Sequence, residues 1–187
     1  MSNLTISENA SKKYTMEIEG NLFRIISLID IPSVGVKIGD RGGLIEKEVN
    51  LSHENNAWVS GNALVYGNAR VSGDARVFGN ARVSGNARVA GNALMYGNAR
   101  VFGDAWVFGN TLVFGNAGVF GNAWVSGNAL VYGDAHVYSN ALVQGNALVY
   151  DNARVSGNAL VYGNALVYGN ALVYGYTQIQ DNGTYNG

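Results

Sequence analysis

Two histidines, His53 and His136, are the side chains best suited to general acid–base chemistry near neutral pH. His53 lies in a Ser-His-Glu triplet, and His136 occupies a repeat position that elsewhere holds Leu, Arg or Trp. The sequence contains no cysteine, which excludes disulfides and thiolate metal sites. A general base needs a shaped site around it, and no loop interrupts the repeats to form one. We therefore predict no catalytic residue, no metal site and no cofactor.

Three aspartates and a glycine-rich stretch are the other candidates for polar chemistry. Asp74, Asp104 and Asp134 stand where the repeat otherwise has Asn, and we interpret them as corner residues rather than as metal ligands or catalytic groups. The stretch Gly39–Gly43 reads Gly-Asp-Arg-Gly-Gly. It lacks the Lys-Ser/Thr ending and the following helix of a phosphate-binding loop, so we interpret it as a turn.

The composition narrows the possible partners. The 12 Lys and Arg residues nearly balance the 13 Asp and Glu residues, and the net charge of −1 argues against strong nucleic-acid binding. The N-terminal residues lack the apolar core of a signal peptide, and no later segment is long and apolar enough to span a bilayer. These features predict a cytoplasmic protein without a membrane partner.

The element that positions all of these residues is a six-residue repeat that runs from Val59 to Val173 without insertion or deletion. Its consensus is Val, variable, Gly, Asn or Asp, Ala, variable, and Met95 is the only break in the valine column. The Ala-x-Val-x portion alternates as a short strand does, with Ala and Val inward and the variable residues outward. Gly-Asn tolerates the left-handed backbone of a tight corner.

Three such sides per coil predict an all-β fold, a single-stranded parallel β-helix of triangular section with 18 residues per coil and about seven coils. We expect strands of three to four residues and no helix within 57–175. The stacked Asn side chains predict amide ladders at the corners. Asp74, Asp104 and Asp134 fall in three different corner columns, so two carboxylates never stack in one ladder.

The pattern resembles the hexapeptide family of left-handed parallel β-helices, in which an aliphatic residue is followed four positions later by a small one, as Val59 is by Ala63. That family usually has Gly directly after the aliphatic residue, whereas Tyr, Phe or Ser stands there in this chain. The resemblance implies a left-handed coil. It also implies acyl transfer as an alternative function, because many family members are trimeric acyltransferases.

The residues before the repeat resemble the leader of phage and prophage hexapeptide proteins. The resemblance lies in Gly39–Gly43 and in Asn50-Leu51-Ser52. It implies a phage-type protein that acts in the cytoplasm of a bacterial host.

We predict three regions: an N-terminal β-hairpin and cap region (1–52), the hexapeptide-repeat β-helix (53–182) and a C-terminal tail (183–187). Within the first region, residues 14–29 read as a hairpin that turns at Glu19-Gly20-Asn21. A solenoid end exposes unpaired strand edges, so capping is the role that we expect for this region.

The 18-residue period sorts the outward residues onto three faces. One face, here called the aromatic face, combines a leucine column with a Phe/Tyr column and is the predicted interface. Its residues are Phe78, Leu94, Tyr96, Leu112, Phe114, Leu130, Tyr132, Leu148, Tyr150, Leu166 and Tyr168. Apolar stripes of this size usually mark a binding surface, although a solvated stripe of stacked rings is the alternative.

The other two faces are more polar. The histidine face carries Arg82, Arg100, Gly118, His136 and Arg154 beside Ser84, Phe102, Phe120, Tyr138 and Ser156. The tryptophan face carries Arg70, Arg88, Trp106, Trp124, Leu142 and Leu160. The early coils are ringed by arginines that can contact an anionic partner or solubilise the rod, and these are Arg70, Arg76, Arg82, Arg88 and Arg100.

These features favour a non-enzymatic solenoid that binds a macromolecule, either a host protein or a second copy of itself, along the aromatic face. The phage resemblance makes a host defence nuclease a candidate target. The chain would inhibit this nuclease by steric occlusion, as anti-CRISPR proteins do. Residues 53–187 hold equal numbers of arginines and acidic residues, so occlusion would depend on shape rather than on DNA mimicry. A structural or virion component is a further alternative.

Overall fold

A computed structural model describes residues 12–187 of the chain. These residues form an all-β parallel solenoid with about 18 residues per turn, as predicted, and with about 8 coils where about seven were expected. The predicted region 1–52 begins in residues that lie outside the described ones.

Residues 12–187 contain 25 strands, and most strands of the repeat are two residues long. Our expectation of three to four residues per strand was wrong, because the corner occupies the remaining four residues of each hexad. In chain order the strands are β1 Tyr14–Glu19, β2 Leu22–Ser27, β3 Arg41–Ile45, β4 Trp58–Val59, β5 Leu64–Val65, β6 Arg70–Val71, β7 Arg76–Val77, β8 Arg82–Val83, β9 Arg88–Val89, β10 Leu94–Met95, β11 Arg100–Val101, β12 Trp106–Val107, β13 Leu112–Val113, β14 Gly118–Val119, β15 Trp124–Val125, β16 Leu130–Val131, β17 His136–Val137, β18 Leu142–Val143, β19 Leu148–Val149, β20 Arg154–Val155, β21 Leu160–Val161, β22 Leu166–Tyr168, β23 Leu172–Val173, β24 Gln178–Ile179 and β25 Thr184–Asn186.

Three sheets run along the rod, one for each predicted face. The aromatic face is the outside of the sheet β4-β7-β10-β13-β16-β19-β22-β25, and the tryptophan face is the outside of β6-β9-β12-β15-β18-β21-β24. The histidine face belongs to a ten-stranded sheet in which β1, β2 and β3 precede β5-β8-β11-β14-β17-β20-β23. The residues that we assigned to a C-terminal tail contain β25, which pairs with β22. No α-helix is present in residues 12–187, and short 3-10 turns occur at Pro32–Val34 and Glu48–Asn50.

The core contains the alanine and valine columns of the repeat, which point inward as predicted. Nearly all of these side chains have no solvent exposure, and Met95 fills the position of one valine. Burial of one valine side chain contributes about 1.5–3 kcal/mol, so the columns supply most of the favourable free energy of folding. Thr111 breaks the alanine column, and its buried Oγ1 has no hydrogen-bond partner among residues 12–187.

The asparagines at the corners form the predicted ladders, and these ladders have a direction. Along a ladder, asparagines donate from Nδ2 to the Oδ1 atom of the residue one coil later, as from Asn80 to Asn98 (3.2 Å) and from Asn98 to Asn116 (3.0 Å). The carboxylate of Asp134 accepts from Asn116 at 2.8 Å but has no proton to donate onward, so the run ends there. Asp74 and Asp104 accept in the same way from the coil before them.

The residues before the repeat cover the first coil with hydrogen-bond donors. Asn50 donates from Nδ2 to the carbonyl oxygens of Gly67 (3.1 Å) and Ala69 (2.8 Å). The ammonium group of Lys13 donates to the carbonyl oxygen of Ala57 at 2.7 Å. In the middle of the rod such carbonyls accept from the preceding coil, as Ala75 accepts from the N–H of Trp58. These side chains therefore replace the missing coil.

The hairpin predicted for residues 14–29 is present as β1 and β2, paired from Tyr14↔Ser27 to Glu19↔Leu22. The prediction for Gly39–Gly43 was only partly right. Gly39 has a left-handed φ of 88°, as a turn requires, but Gly42 and Gly43 lie within β3. A Cβ atom would lie 2.7 Å from the Val59 carbonyl oxygen at Gly42 and 2.8 Å from that of Ala63 at Gly43. These two glycines therefore let β3 approach the first coil closely.

The ladders yield a stability prediction from two matched changes, Asn116→Asp and Asn98→Asp. Each removes one amide donor, but only Asn116→Asp places a carboxylate directly beneath that of Asp134. Two like charges about 5 Å apart in water repel by roughly 1 kcal/mol. We expect Asn116→Asp to unfold at a lower urea midpoint than Asn98→Asp at pH 7, with a smaller gap in 1 M salt. Equal midpoints at low salt would contradict the proposed reason for spacing the aspartates.

Candidate functional site

The Phe/Tyr column of the aromatic face forms one uninterrupted stack of rings. Successive ring centroids lie 4.9 to 5.2 Å apart, and the planes of neighbouring rings are within 9° of parallel. Each ring covers its neighbours, so the rings are half-buried rather than fully exposed. Burial is also the main cause that raises the pKa of Tyr132, which keeps its hydroxyl neutral. The contacts between neighbouring rings restrict the rotamers of the stack before any partner binds.

The leucine column lies beside this stack in exact register across β10, β13, β16, β19 and β22. No outward residue of the aromatic face carries a charge between Leu94 and Tyr168. Charges stand at the borders of this stretch: the carboxylate of Asp151, at the corner after Tyr150, helps to raise the pKa of Tyr132, and the guanidinium of Arg76 lies 5.8 Å from the centroid of the Phe78 ring. The structure therefore brings together the predicted interface residues on one continuous, uncharged face.

The five arginines that were predicted to ring the early coils are distributed over all three faces. Arg70 and Arg88 are neighbours on the tryptophan face, Arg82 and Arg100 are neighbours on the histidine face, and Arg76 stands on the aromatic face. None of them forms an ion pair within residues 12–187. A partner that contacts one face can therefore reach two of these arginines at most.

His136 lies in a shallow cleft on the histidine face. The missing side chain of Gly118 leaves room for its ring, which meets Phe120 edge-on at 5.9 Å. Arg100 and Phe102 also line this cleft of about 480 Å³. Burial, reinforced by the nearby charge of Arg154, lowers the pKa of His136, so the imidazole is neutral at pH 7.

Unlike His136, His53 makes contacts that hold the residues before the repeat in place. Its Nδ1 atom accepts from the backbone N–H of Lys13 (3.1 Å), so Nε2 carries the proton that faces Glu48 (2.9 Å). The ring stacks on that of Tyr14 with centroids 4.2 Å apart. The hydroxyl of Tyr14 in turn donates to the carbonyl oxygen of Leu51 at 2.7 Å. His53 thus anchors the residues before the repeat, and residues 12–187 hold no cluster of side chains suited to a metal ion.

Sequence reasoning missed a groove of about 840 Å³ between residues 48–53 and the first coils of the tryptophan face. Here we call it the cap groove. Its lining comprises Glu48, Val49, Leu51, Ser52, His53, Arg70, Val71, Ser72, Arg88, Ala90, Gly91, Trp106, Val107, Phe108 and Gly109. The signal in the sequence was the small outward pair Ser72 and Ala90, which stand two coils and one coil, respectively, before Phe108 in the same column.

Three coil-to-coil contacts shape the far end of the cap groove. The guanidinium of Arg88 lies 4.6 Å from the centroid of the Trp106 ring, within the range of a cation–π interaction. Trp106 stacks on Trp124 at 5.1 Å, and Phe108 meets Trp124 edge-on at 5.9 Å. These contacts hold an aromatic wall in place beside the two arginines.

The stacked coils and the columns of outward residues define a parallel β-solenoid with repeating surfaces. The model for the family described as YdcK Beta solenoid repeat matches more than half of the chain, at residues 57–73, 69–84, 81–97, 95–109, 123–139, 147–163, 153–168 and 159–175. The chain therefore belongs to this family. A comparison with curated proteins finds no match.

Within residues 12–187, no helix has the length and apolar character needed to cross a membrane.

Lys13 gives a prediction of pH dependence. Burial lowers its pKa to about 8, against the opposing effect of the Asp74 carboxylate, while the pKa in the unfolded chain is about 10.4. Between these pH values the unfolded chain binds more protons, so the contribution of Lys13 to stability increases as the pH rises above 8. We expect the melting temperature of the parent to rise relative to that of Lys13→Met between pH 7 and pH 9.5.

The matched control is Lys12→Met, which changes the exposed neighbouring lysine and should keep the pH trend of the parent. A constant difference between parent and Lys13→Met across this range would contradict a buried ammonium in the folded state. Tyrosines, whose pKa in the unfolded chain is about 10, are the same in the parent and in both variants, so their ionisation cancels in the difference.

Proposed function

We propose that this chain is a non-enzymatic binding protein whose aromatic face contacts a macromolecular partner. The observation that carries the proposal is the uncharged surface from Leu94 to Tyr168, with its continuous stack of rings. Tyr and Phe are enriched in protein interfaces, and ring positions that are fixed before binding reduce the entropy lost on association. The tyrosine hydroxyls can satisfy polar groups at the edge of such a contact.

The distribution of charges on the rod favours a protein partner over a nucleic acid. Residues 53–187 contain as many arginines as acidic residues, and the arginines are spread over three faces. Nucleic-acid binding depends on a concentrated positive field, which this arrangement does not supply. A second copy of the chain is the alternative partner, because two aromatic faces are complementary to each other in apolar character.

The finer proposal is a phage-type inhibitor that occludes a host defence nuclease, acting in the bacterial cytoplasm. Its support is the resemblance of Gly39–Gly43 and Asn50–Ser52 to the leaders of phage hexapeptide proteins. A rigid rod can obstruct a cleft by shape alone, without imitating the charge of DNA. A virion component would use the same surface and is distinguished by its presence in purified particles.

Acyl transfer is the enzymatic alternative, with His136 as the general base in the cleft beside Arg100. We propose that this activity is absent, because the cleft is shallow and no loop leaves the coils to enclose a substrate. Calorimetry with acetyl-CoA should therefore show no binding. Micromolar binding that disappears in His136→Ala would overturn this prediction and revive the acyltransferase.

The aromatic face is tested by Leu130→Glu, at the centre of the leucine column. The side chain points outward, so the coil should remain folded. A carboxylate buried at an interface without a partner loses several kcal/mol of solvation, and about 2.7 kcal/mol already weakens binding 100-fold. We expect Leu130→Glu to dissociate an oligomer in light scattering, or to lose a partner that the parent retains from host lysate.

The matched control is Leu142→Glu, which changes a similarly half-buried leucine on the tryptophan face. It should match the parent in mass and in retained partner. If Leu130→Glu also matches the parent in both measurements, the aromatic face is a solvated surface and the proposal fails.

A further inference from the structure

The cap groove contains two adjacent positive charges that no described residue neutralises. Arg70 and Arg88 are paired in register on β6 and β9, one directly above the other. Like charges opposite each other on neighbouring strands destabilise a sheet. Neither guanidinium forms an ion pair within residues 12–187. An anion placed between them would remove this repulsion and accept hydrogen bonds from both groups.

The acidic group at the opposite rim of the cap groove is already engaged. The carboxylate of Glu48 lies 2.8 Å from the ammonium of Lys12 and 2.9 Å from Nε2 of His53. The hydrogen bond from Lys12, followed by that from His53, lowers the pKa of Glu48. Its charge is therefore compensated by its own neighbours, and the field inside the groove is set by the two arginines.

The remainder of the cap groove is suited to a flat apolar group. Trp106 and Phe108 provide the aromatic wall, and Ala90 and Ser72 leave the floor open, whereas the same column has Gln144 and Tyr162 in later coils. A volume of about 840 Å³ lies within the range of small-molecule sites, about 300–1,000 Å³. The groove has walls on two sides, one formed by residues 48–53 and the other by the coils.

We propose that the cap groove binds an aromatic anion, which is a small molecule with a flat ring and a phosphate or carboxylate group. The anionic group would lie between Arg70 and Arg88, and the ring against Phe108 and the outer edge of Trp106, whose two faces Arg88 and Trp124 already cover. This site is on a different face from the aromatic face, so it stands or falls independently of the proposed protein partner.

The test is calorimetry of the intact chain with four probes. The probes are 1-naphthyl phosphate, 1-naphthoate, 1-naphthol and inorganic phosphate. We expect at least one of the two aromatic anions to bind at least 10-fold more tightly than both naphthol and inorganic phosphate. Which of the two binds more tightly identifies the anionic group that the arginines prefer.

Three variants locate the site. Arg88→Gln removes one of the two charges, and Ala90→Leu fills the floor with a residue type that other coils carry at outward positions. Each should weaken binding of the preferred probe at least 10-fold. Arg82→Gln is the matched control, because it changes one arginine of the equivalent pair on the histidine face and should leave binding unchanged. Circular dichroism melts confirm that each variant is folded.

Several results would overturn the proposal. The absence of binding by both aromatic anions at millimolar concentration excludes the site. Equal affinity for inorganic phosphate shows a simple anion site and refutes the role of the ring. A loss of affinity in Arg82→Gln as large as that in Arg88→Gln shows general attraction to the positive end of the rod.

Discussion

The fold depends on how closely each corner approaches the corner of the next coil. A Cβ atom added at Gly73 would lie 2.9 Å from the backbone nitrogen of Gly91, closer than real Cβ atoms come. The φ of Gly73 is 66°, which side-chain-bearing residues also disfavour. Between Val59 and Val173, Ser139 and Asp151 are the corner residues that accept this conformation without being glycine, with φ of 60° and 57°. Both the short distance to the next coil and the left-handed backbone therefore restrict the residue type at this corner position.

The constant corner explains why the faces are so regular. Because every corner has the same geometry between Val59 and Val173, every coil has the same length and each outward residue lies above the one 18 positions earlier. The aromatic stack and the leucine column are direct results of that register. The Asn ladders reinforce it, since their amide hydrogen bonds hold successive corners at the same spacing.

The repeated part of the structure could be predicted from the sequence because each hexad specifies the same local conformation. The inward Ala and Val columns, the three faces and the ladders follow from the six-residue period together with the geometry of strands. The strand length could not be predicted as well, because the pattern Ala-x-Val-x does not show where inter-coil pairing gives way to the corner.

The residues before the repeat illustrate what the sequence could not show. Asn50, Lys13 and Gly42 each act through contacts with residues 17 to 44 positions away, and no local pattern marks them. The cap groove was missed for the same reason, since one wall is formed by residues 48–53 and the other by three successive coils. His136 was correctly located on its face, but the space left by Gly118 became visible only when the coils were stacked.

The register of the coils also determines how such a chain can change length. An insertion or deletion of three hexads adds or removes one whole coil and leaves every later residue on its original face. A change of one hexad preserves the core and the corners equally well, but it moves each later column onto the adjacent face. Leu130 and Leu148 would then no longer continue the column that begins at Leu94. Two outward residues therefore lie on the same face, and can contact one partner, only when the number of hexads between them is a multiple of three.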